Sequence, residues 1–476
     1  MSEHYKFFIC GEWRNSSQEM EVVNPYNGEV VGVVFQGEKR DINNAIDCAA
    51  AAFDHTRRLP AYRRAEILEK ISKGIEERGE EIARIITLEC GKPITDSRIE
   101  VKRAVNTFKI AAEEAKRIYG DLIPLDLMAG SEERLAITRR FPIGPIVGIS
   151  PFNFPLNLVA HKIAPAIASG NPIILKPASK TPITALILGE IIEEAGIPAG
   201  GVSIIPCPGT LAEEIVTDER IKMLTFTGSA VVGWHLKEKA NKKKVTLELG
   251  GNAGVIVHSD ADIDYAVKRC ITGSFSYSGQ VCISVQRIYA EEGIYEEFVD
   301  RFITQVRTLR TGDPMDDATN IGPMLDLSSA ERIEKWLKEA TENGAKILVG
   351  GNRNGILFEP TLVTNTKPDT KINCQEVFGP VVTITPYKNF KEAINMVNNS
   401  VFGLQAGVFT KDVQNIFYAF DELNVGGLII NDVPTYRVDH MPYGGVKESG
   451  FGREGLRYTI EEMTELKLMA LKTGIA

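Results

Sequence analysis

From Pro142 to Val257 the chain alternates short apolar runs with segments of helical period. Pro172 to Leu175, Val202 to Ile205, Met223 to Phe226 and Val245 to Leu249 read as buried strands, and Thr181 to Ala195 and Ser229 to Ala240 as helices. The first helix is well marked, with Ile183, Ile187 and Ile191 on one face and Gly196 and Pro198 as stop signals. Such alternation predicts an α/β fold with a parallel sheet and helical crossovers. A second alternation runs from Arg287 to Asn431 and predicts a second α/β domain. Ahead of both, Asp41 to Tyr119 is helical, with Ile67, Leu68, Ile71 and Ile75 repeated as Ile82, Ile85 and Ile86 after Gly79. Phe7 to Cys10, Glu21 to Val23 and Val30 to Val34 read as short strands, the last two joined by an Asn27-Gly28 turn.

Two stretches stand outside this scheme. Leu122 to Phe141 contains the alternating piece LAITRRF and predicts an exposed strand pair. The tail piece TELKLMALK reads as a strand with no neighbour in sequence, and pairing it with residues 122–141, within the chain or across subunits, removes its open edge. The run Lys242, Lys243, Lys244 reads as a solvated helix end.

Length and charge narrow the class. At 476 residues two or three domains are needed, and 43% apolar with 25% charged residues fits a soluble globular protein. A net charge of −9 argues against a nucleic-acid partner. The seven cysteines (Cys10, Cys48, Cys90, Cys207, Cys270, Cys282, Cys374) are scattered and never spaced C-x-x-C, which predicts neither a disulfide framework nor a metal site and favours a reducing compartment. No run is apolar enough for a secretory signal or a membrane span, so the expectation is a cytoplasmic protein with no membrane partner.

Five stretches carry chemistry. FTGSAVVG, Phe226 to Gly233, lies between a strand and a helix, so Gly228 and Ser229 can face a phosphate at the helix N-terminus; the spacing also suits a plain tight turn. In KPASKTP, Lys176 ends a buried strand, where open α/β sheets bind nucleotides. LELGG sets Glu248 between two leucines and before two glycines, a setting that raises a carboxyl towards a general base, although a strand-end salt bridge has the same pattern. PFNFP mounts Asn153 rigidly between aromatics and prolines. FSYSGQVCIS places Cys282 in a small, polar loop that can hold a reactive thiol open.

These stretches, with QEVFGP (Gln375 to Pro380) and PYGGVKESGFGREG (Pro442 to Gly455), occur in the order and approximate spacing of the aldehyde dehydrogenase superfamily, which the chain resembles over its whole length. The resemblance implies a Rossmann-like cofactor domain (1–121 and 142–249), an α/β catalytic domain (250–447) and a β-strand oligomerisation extension (122–141 and 448–476), in a homodimer or homotetramer. It implies Cys282 as nucleophile, Glu248 as general base, and Asn153 with the Cys282 backbone N–H as oxyanion donors. Lys176, Ser179, Gly228, Ser229, Gly233, Glu376 and Phe378 are implied as cofactor residues, with Lys176 and Glu376 on the riboses and Ser229 on the pyrophosphate. Glu454 matches a second glutamate that handles protons in some relatives.

The implied reaction oxidises an aldehyde to its acid through a thiohemiacetal and a thioester on Cys282. Relatives that pass the acyl group to coenzyme A typically lack a base at the position of Glu248, so its presence points to hydrolysis. Phe152 stands where many members have tryptophan. Ser179 stands where NAD-preferring members commonly have glutamate, and Lys180 is next to it, which favours NADP over NAD. The loop Asn431 to Gly445 resembles that of lactaldehyde dehydrogenases and non-phosphorylating glyceraldehyde-3-phosphate dehydrogenases. Arg437, His440 and Arg103 are therefore candidate substrate residues, the other reading being a loop salt-linked through Asp432 and Asp439. Lactaldehyde or glycolaldehyde is the first expectation, a phosphorylated or semialdehyde substrate the second, and a cysteine esterase the reading from another class.

Overall fold

The apolar runs between residues 146 and 248 form five adjacent parallel strands in a computed structural model that describes residues 3–473. Across the sheet they run Lys244–Glu248, Met223–Thr227, Ile146–Ile149, Ile173–Lys176 and Val202–Ile204. Gly450–Phe451 adds an antiparallel edge on one side, and the hairpin Phe7–Ile9 and Glu12–Arg14 closes the other, giving eight strands. The chain builds outward from Ile146–Ile149 through Ile173–Lys176 to Val202–Ile204, then crosses back to Met223–Thr227 on the opposite flank. That reversal splays the loops after Ile149 and Thr227 apart and opens a crevice at the carboxyl edge.

The crossover helix spans Ile183–Glu194, with Ile183, Ile187 and Ile191 buried. Each of these side chains contributes about 2 kcal/mol of apolar burial. Its first amides have no intrahelical partner, and the buried Glu89 carboxylate accepts from Ile183 N (2.6 Å), Thr184 N (3.0 Å) and the Thr184 hydroxyl (2.6 Å). The helical region before it is four helices, Lys39–Thr56, Ala61–Glu77, Gly79–Cys90 and Ile94–Ala115, cut at Pro60, at Arg78 and at the Gly91-Lys92-Pro93 turn. Gly91 is left-handed (φ 70°), and a Cβ there would collide with the Pro323 ring.

The second sheet has seven strands in the order Lys346–Val349, Thr361–Thr364, Val381–Tyr387, Val285–Glu291, Ala253–Val257, Gln405–Phe409, Gly427–Ile430, all parallel except the first pair. The mixed α/β architecture with two parallel sheets is the one the alternation predicts. Four residues, Leu249 to Asn252, lead from the carboxyl end of Lys244–Glu248 to the amino end of Ala253–Val257. The carboxyl edge of one sheet therefore meets the amino edge of the other.

Thr464–Lys472 pairs antiparallel with Arg134–Pro142 over nine residues, and Leu122–Pro124 flanks the latter. The tail strand thus finds its partner inside its own chain. Residues 448–463, assigned from sequence to the extension, do something else. Gly450–Phe451 joins the first sheet, and Leu456, Ile460 and Met463 of the following helix sit in the same apolar core as that sheet. The cysteine expectation also needs correcting, because Cys10 and Cys48 are joined in a disulfide. Their 38-residue separation carries no motif; the fold of the first hairpin against the first helix brings their Cα atoms to 5.6 Å. Among the described residues no helix is long and apolar enough to cross a membrane, and no group of three or more acidic, cysteine or histidine side chains is placed to hold a metal.

Candidate active site

Cys282 lies three residues before the strand Val285–Glu291, and its position is set by a strained turn. Tyr277, Ser278 and Gly279 are all left-handed (φ 47°, 54° and 70°), a conformation that costs a non-glycine residue about 1 kcal/mol or more. The cost is offset by fixed partners. Tyr277 N donates to Asp96 (3.0 Å), its hydroxyl to the Cys90 carbonyl (3.0 Å), and the Ser278 hydroxyl to the Gly322 carbonyl (2.8 Å). Gln280 continues the anchoring by donating to the Pro323 carbonyl (3.3 Å) and accepting from Leu325 N (2.9 Å).

Asn153 follows the strand Ile146–Ile149 at the crevice. Its Nδ2 donates one hydrogen to the Gln280 carbonyl (2.9 Å), which ties it to the cysteine loop; its buried Oδ1 has no partner. Both loops share a buried cation. The Lys92 ammonium lies 3.8 Å from the Phe154 ring centroid and 4.7 Å from that of Tyr277, and it is ion-paired with Glu100. Glu100 in turn accepts from Leu156 N (2.9 Å) and Asn157 N (3.1 Å), at the start of the helix Asn157–Ser169.

Glu248 is the last residue of its strand, is buried, and neither carboxylate oxygen has a hydrogen-bond partner. Burial, and then the nearby negative charge of Glu454, hold its carboxyl well above the ordinary range. Glu454 is also buried, which raises it, but Lys162 (3.2 Å), then His161 and Arg437 (3.5 Å), outweigh that desolvation and hold it low. The two glycines after Glu248 permit close approach. A Cβ on Gly250 would collide with the Glu376 carboxylate, and one on Gly251 would lie 2.6 Å from the Cys282 carbonyl oxygen.

Cys282, Glu248 and Asn153 line one cavity of about 670 Å³ together with Lys176, Ser179, Gly228, Ser229, Glu376 and Phe378. Burial pushes the Cys282 thiol up to about 11, while the Tyr443 hydroxyl at 3.2 Å and the Arg437 charge pull it back. Burial raises Glu376 to about 7, although its carboxylate accepts from Gly251 N (2.9 Å), and lowers the Lys176 ammonium. Phe378 is left-handed (φ 49°) and meets Phe152 edge-on at 5.9 Å, so the phenylalanine in place of tryptophan packs on the cavity wall. Gly233 does not line the cavity. It is buried where its helix meets Leu249 and Phe226, so its glycine serves packing rather than ligand contact.

The cavity suits a dinucleotide. Ser229 is the N-cap of the helix Ala230–Ala240 and its hydroxyl makes no capping bond, leaving that hydroxyl and the first amides available to a pyrophosphate. Ser179 and Lys180 are both exposed, so neither is committed to the core.

The three substrate candidates fare differently. Arg103 is paired with Asp439 (2.8 Å), which also takes His161 Nε2 (2.9 Å) and Asn157 Nδ2 (3.1 Å). The Arg437 side chain packs against Tyr443, its guanidinium carbon 3.6 Å from the ring centroid, and His440 is exposed. None of the three is among the residues that line the cavity, and the Arg103–Asp439 pair is the salt link that the sequence offered as the other reading. Sequence reasoning missed Tyr443, which lies in the quoted PYGG piece but carries no chemistry until the fold sets it beside Cys282. It also missed Lys162 and Lys92, whose burial no local pattern signals.

The model of the aldehyde dehydrogenase family matches residues 13–469. Over 470 residues, 98% of each chain, the sequence is 47% identical to a 3-sulfolactaldehyde dehydrogenase of Priestia megaterium. It is 42% identical to a lactaldehyde dehydrogenase of Methanococcus aeolicus, over 98% of this chain and 100% of that one. A glyceraldehyde-3-phosphate dehydrogenase of Methanocaldococcus jannaschii, solved with NADP, superposes with a TM-score of 0.92 at 40% identity, over 96% of this chain and all of the other. With its full-length motif order, its two facing sheets and these matches, the chain belongs to the aldehyde dehydrogenase family.

Proposed function

We propose that Cys282, Glu248 and Asn153 oxidise a small polar aldehyde to its carboxylic acid, with NADP preferred to NAD. The observation that carries this reading is the unpartnered, buried Glu248 carboxylate in the cavity that also holds the Cys282 thiol. The nicotinamide, when bound, supplies the hydride acceptor. Lys176 and Glu376 would hold the ribose hydroxyls and Ser229 the pyrophosphate. Ser179 presents no carboxylate to a 2′-phosphate, and Lys180 adds a cation beside it.

The Cys282 sulfur adds to the carbonyl carbon, and the oxygen takes the negative charge. The second Nδ2 hydrogen of Asn153 and the Cys282 amide hold that oxygen in a site shielded from water. Loss of hydride from the carbon leaves a thioester on Cys282. Glu248 then takes a proton from water, which attacks the thioester carbon, and the acid departs as the thiol is restored.

Lactaldehyde or glycolaldehyde is the first substrate reading, since Arg103 and Arg437, the two arginines among the substrate candidates, are each paired with a carboxylate. A second reading is an anionic aldehyde: glyceraldehyde 3-phosphate, a semialdehyde or 3-sulfolactaldehyde. The sulfonated substrate in the name of the 47% identical relative favours it. We assign cofactor binding to residues 1–121 and 142–249 and catalysis to 250–447. We also assign the chain to a homodimer or homotetramer, supported by Leu466, Leu468, Met469 and Leu471, each more than half exposed on the tail strand. The five cysteines left free favour the cytoplasm.

The test follows reduced nicotinamide by absorbance with these aldehydes, each cofactor, and the variant Cys282→Ala. Turnover with lactaldehyde and NADP that vanishes in Cys282→Ala is the expected result. Cleavage of esters without cofactor reduction would replace the reading with a cysteine esterase, and retained activity in Cys282→Ala would remove Cys282 as the nucleophile.

A further inference from the structure

Tyr443 is almost fully buried, and its hydroxyl lies 3.2 Å from Cys282 Sγ, the only side-chain hydrogen bond the thiol makes among the described residues. A buried phenol donor is seldom left to chance, and this one is held on both faces of its chain segment. Tyr443 N donates to the Glu454 carbonyl (3.0 Å) and Glu454 N to the Tyr443 carbonyl (2.6 Å), which locks the ring's backbone. Beneath the ring lies the Arg437 guanidinium at 3.6 Å, itself paired with the Glu454 carboxylate at 3.5 Å. Glu454 is in turn fixed by Lys162. The chain of contacts Lys162, Glu454, Arg437, Tyr443 thus ends on the sulfur.

We infer that Tyr443 is a catalytic residue that donates its phenolic hydrogen to the Cys282 sulfur and stabilises the thiolate, with Arg437 positioning and polarising the ring from below. This rests on Cys282 being the nucleophile. A hydroxyl donating to an anionic acceptor makes a bond about twice as strong as a neutral one, and it is strongest where water is excluded. When Cys282 gives up its proton, the phenol keeps its own. Burial and the adjacent thiol hold the Tyr443 hydroxyl well above its ordinary range, so it stays a donor. The charged and titratable groups that bear on Cys282 are Tyr443 and Arg437, which favour the thiolate, and Glu376 and Glu248, which oppose it. Tyr443 is the one of these in direct contact with the sulfur. No proton leaves Tyr443 at any step, and the thiol proton passes to solvent water. As sulfur adds to the carbonyl carbon its charge moves to the aldehyde oxygen, and the phenol hydrogen bond weakens without a bond being broken.

The test is the pH dependence of Cys282 alkylation by iodoacetamide in the full-length protein without cofactor or substrate, comparing the parent with Tyr443→Phe. The ring is kept, so the packing on Arg437 survives; circular dichroism and the urea midpoint check that the variant is folded. The alkylation midpoint is expected to move up by about one pH unit, so that at a fixed pH on the rising limb the rate falls about 10-fold. Arg437→Gln, which removes the cation and leaves the phenol, is expected to shift the midpoint the same way. Superimposable profiles for the parent and folded Tyr443→Phe would overturn the assignment, as would a shift to lower pH. If Tyr443→Phe is unfolded, an unshifted Arg437→Gln profile overturns it instead. Because the assay needs no turnover, its failure is distinct from failure of the proposed function, which is decided by the activity of Cys282→Ala.

Discussion

Glu248 and Glu454 are two buried carboxylates in one electrostatic field, and they are pushed in opposite directions. Lys162 and Arg437 sit on Glu454, satisfy its charge and keep it ionised. Glu248 makes no hydrogen bond and faces that negative charge, so it holds a proton to unusually high pH. A carboxylate raised in this way is a stronger base once ionised, which is what hydrolysis of a thioester requires.

Glu248→Gln separates the two halves of the reaction. Attack by Cys282 and hydride loss do not use the Glu248 carboxylate, so the first turnover still gives a burst of reduced nicotinamide. Steady-state turnover falls about 100- to 10,000-fold, the usual contribution of a positioned base. Stopped-flow absorbance reads both phases, and loss of the burst with the steady state would count against the role.

Glu454→Gln shifts a pH profile rather than abolishing it. Removing the Glu454 charge takes away a group that raises Glu248 and leaves Lys162 and Arg437, both of which lower it. The Glu248 carboxyl therefore ionises at lower pH, and the rising limb of kcat moves to lower pH where hydrolysis limits turnover. A limb that moves to higher pH would show that Glu454 acts on the reaction by another route.

Ser179→Glu places a carboxylate at the proposed adenosine end of the cavity. It is expected to lower kcat/KM for NADP about 10-fold through repulsion of the 2′-phosphate and to leave NAD unchanged or improved. Steady-state kinetics with both cofactors decide it, and unchanged NADP efficiency would place the 2′-phosphate elsewhere.

Lys92→Met tests the buried clamp on the two loops that carry Asn153 and Cys282. Both partners of the Lys92–Glu100 pair are almost wholly inaccessible, and breaking such a pair costs about 3–5 kcal/mol because it strands a buried charge. Glu100 keeps two backbone donors, which points to the lower end of that range. The urea midpoint should fall accordingly, kcat should fall as the loops of Phe154 and Tyr277 loosen, and Lys92→Met with Glu100→Gln should recover part of the stability.

The apolar runs were sufficient to read two parallel α/β units in the chain, because burial on both faces of a parallel strand demands a continuous apolar segment. Motif order likewise pointed to Cys282, Glu248 and Asn153, since each sits at the end of a strand or in a fixed loop whose residue types are locally distinctive. Local pattern does not encode contacts between distant segments. Cys10 and Cys48 meet across 38 residues, Arg103 and Asp439 across 336, and Tyr443 and Cys282 across 161. The same limit explains why the sequence left Arg103 and Arg437 between substrate contact and a salt-linked loop until the fold paired them with Asp439 and Glu454, and why Lys162 and Lys92 gave no signal. Charge neutralisation and burial are properties of the assembled interior, and only the tertiary structure decided which carboxylate keeps its proton and which hydroxyl rests on the Cys282 sulfur.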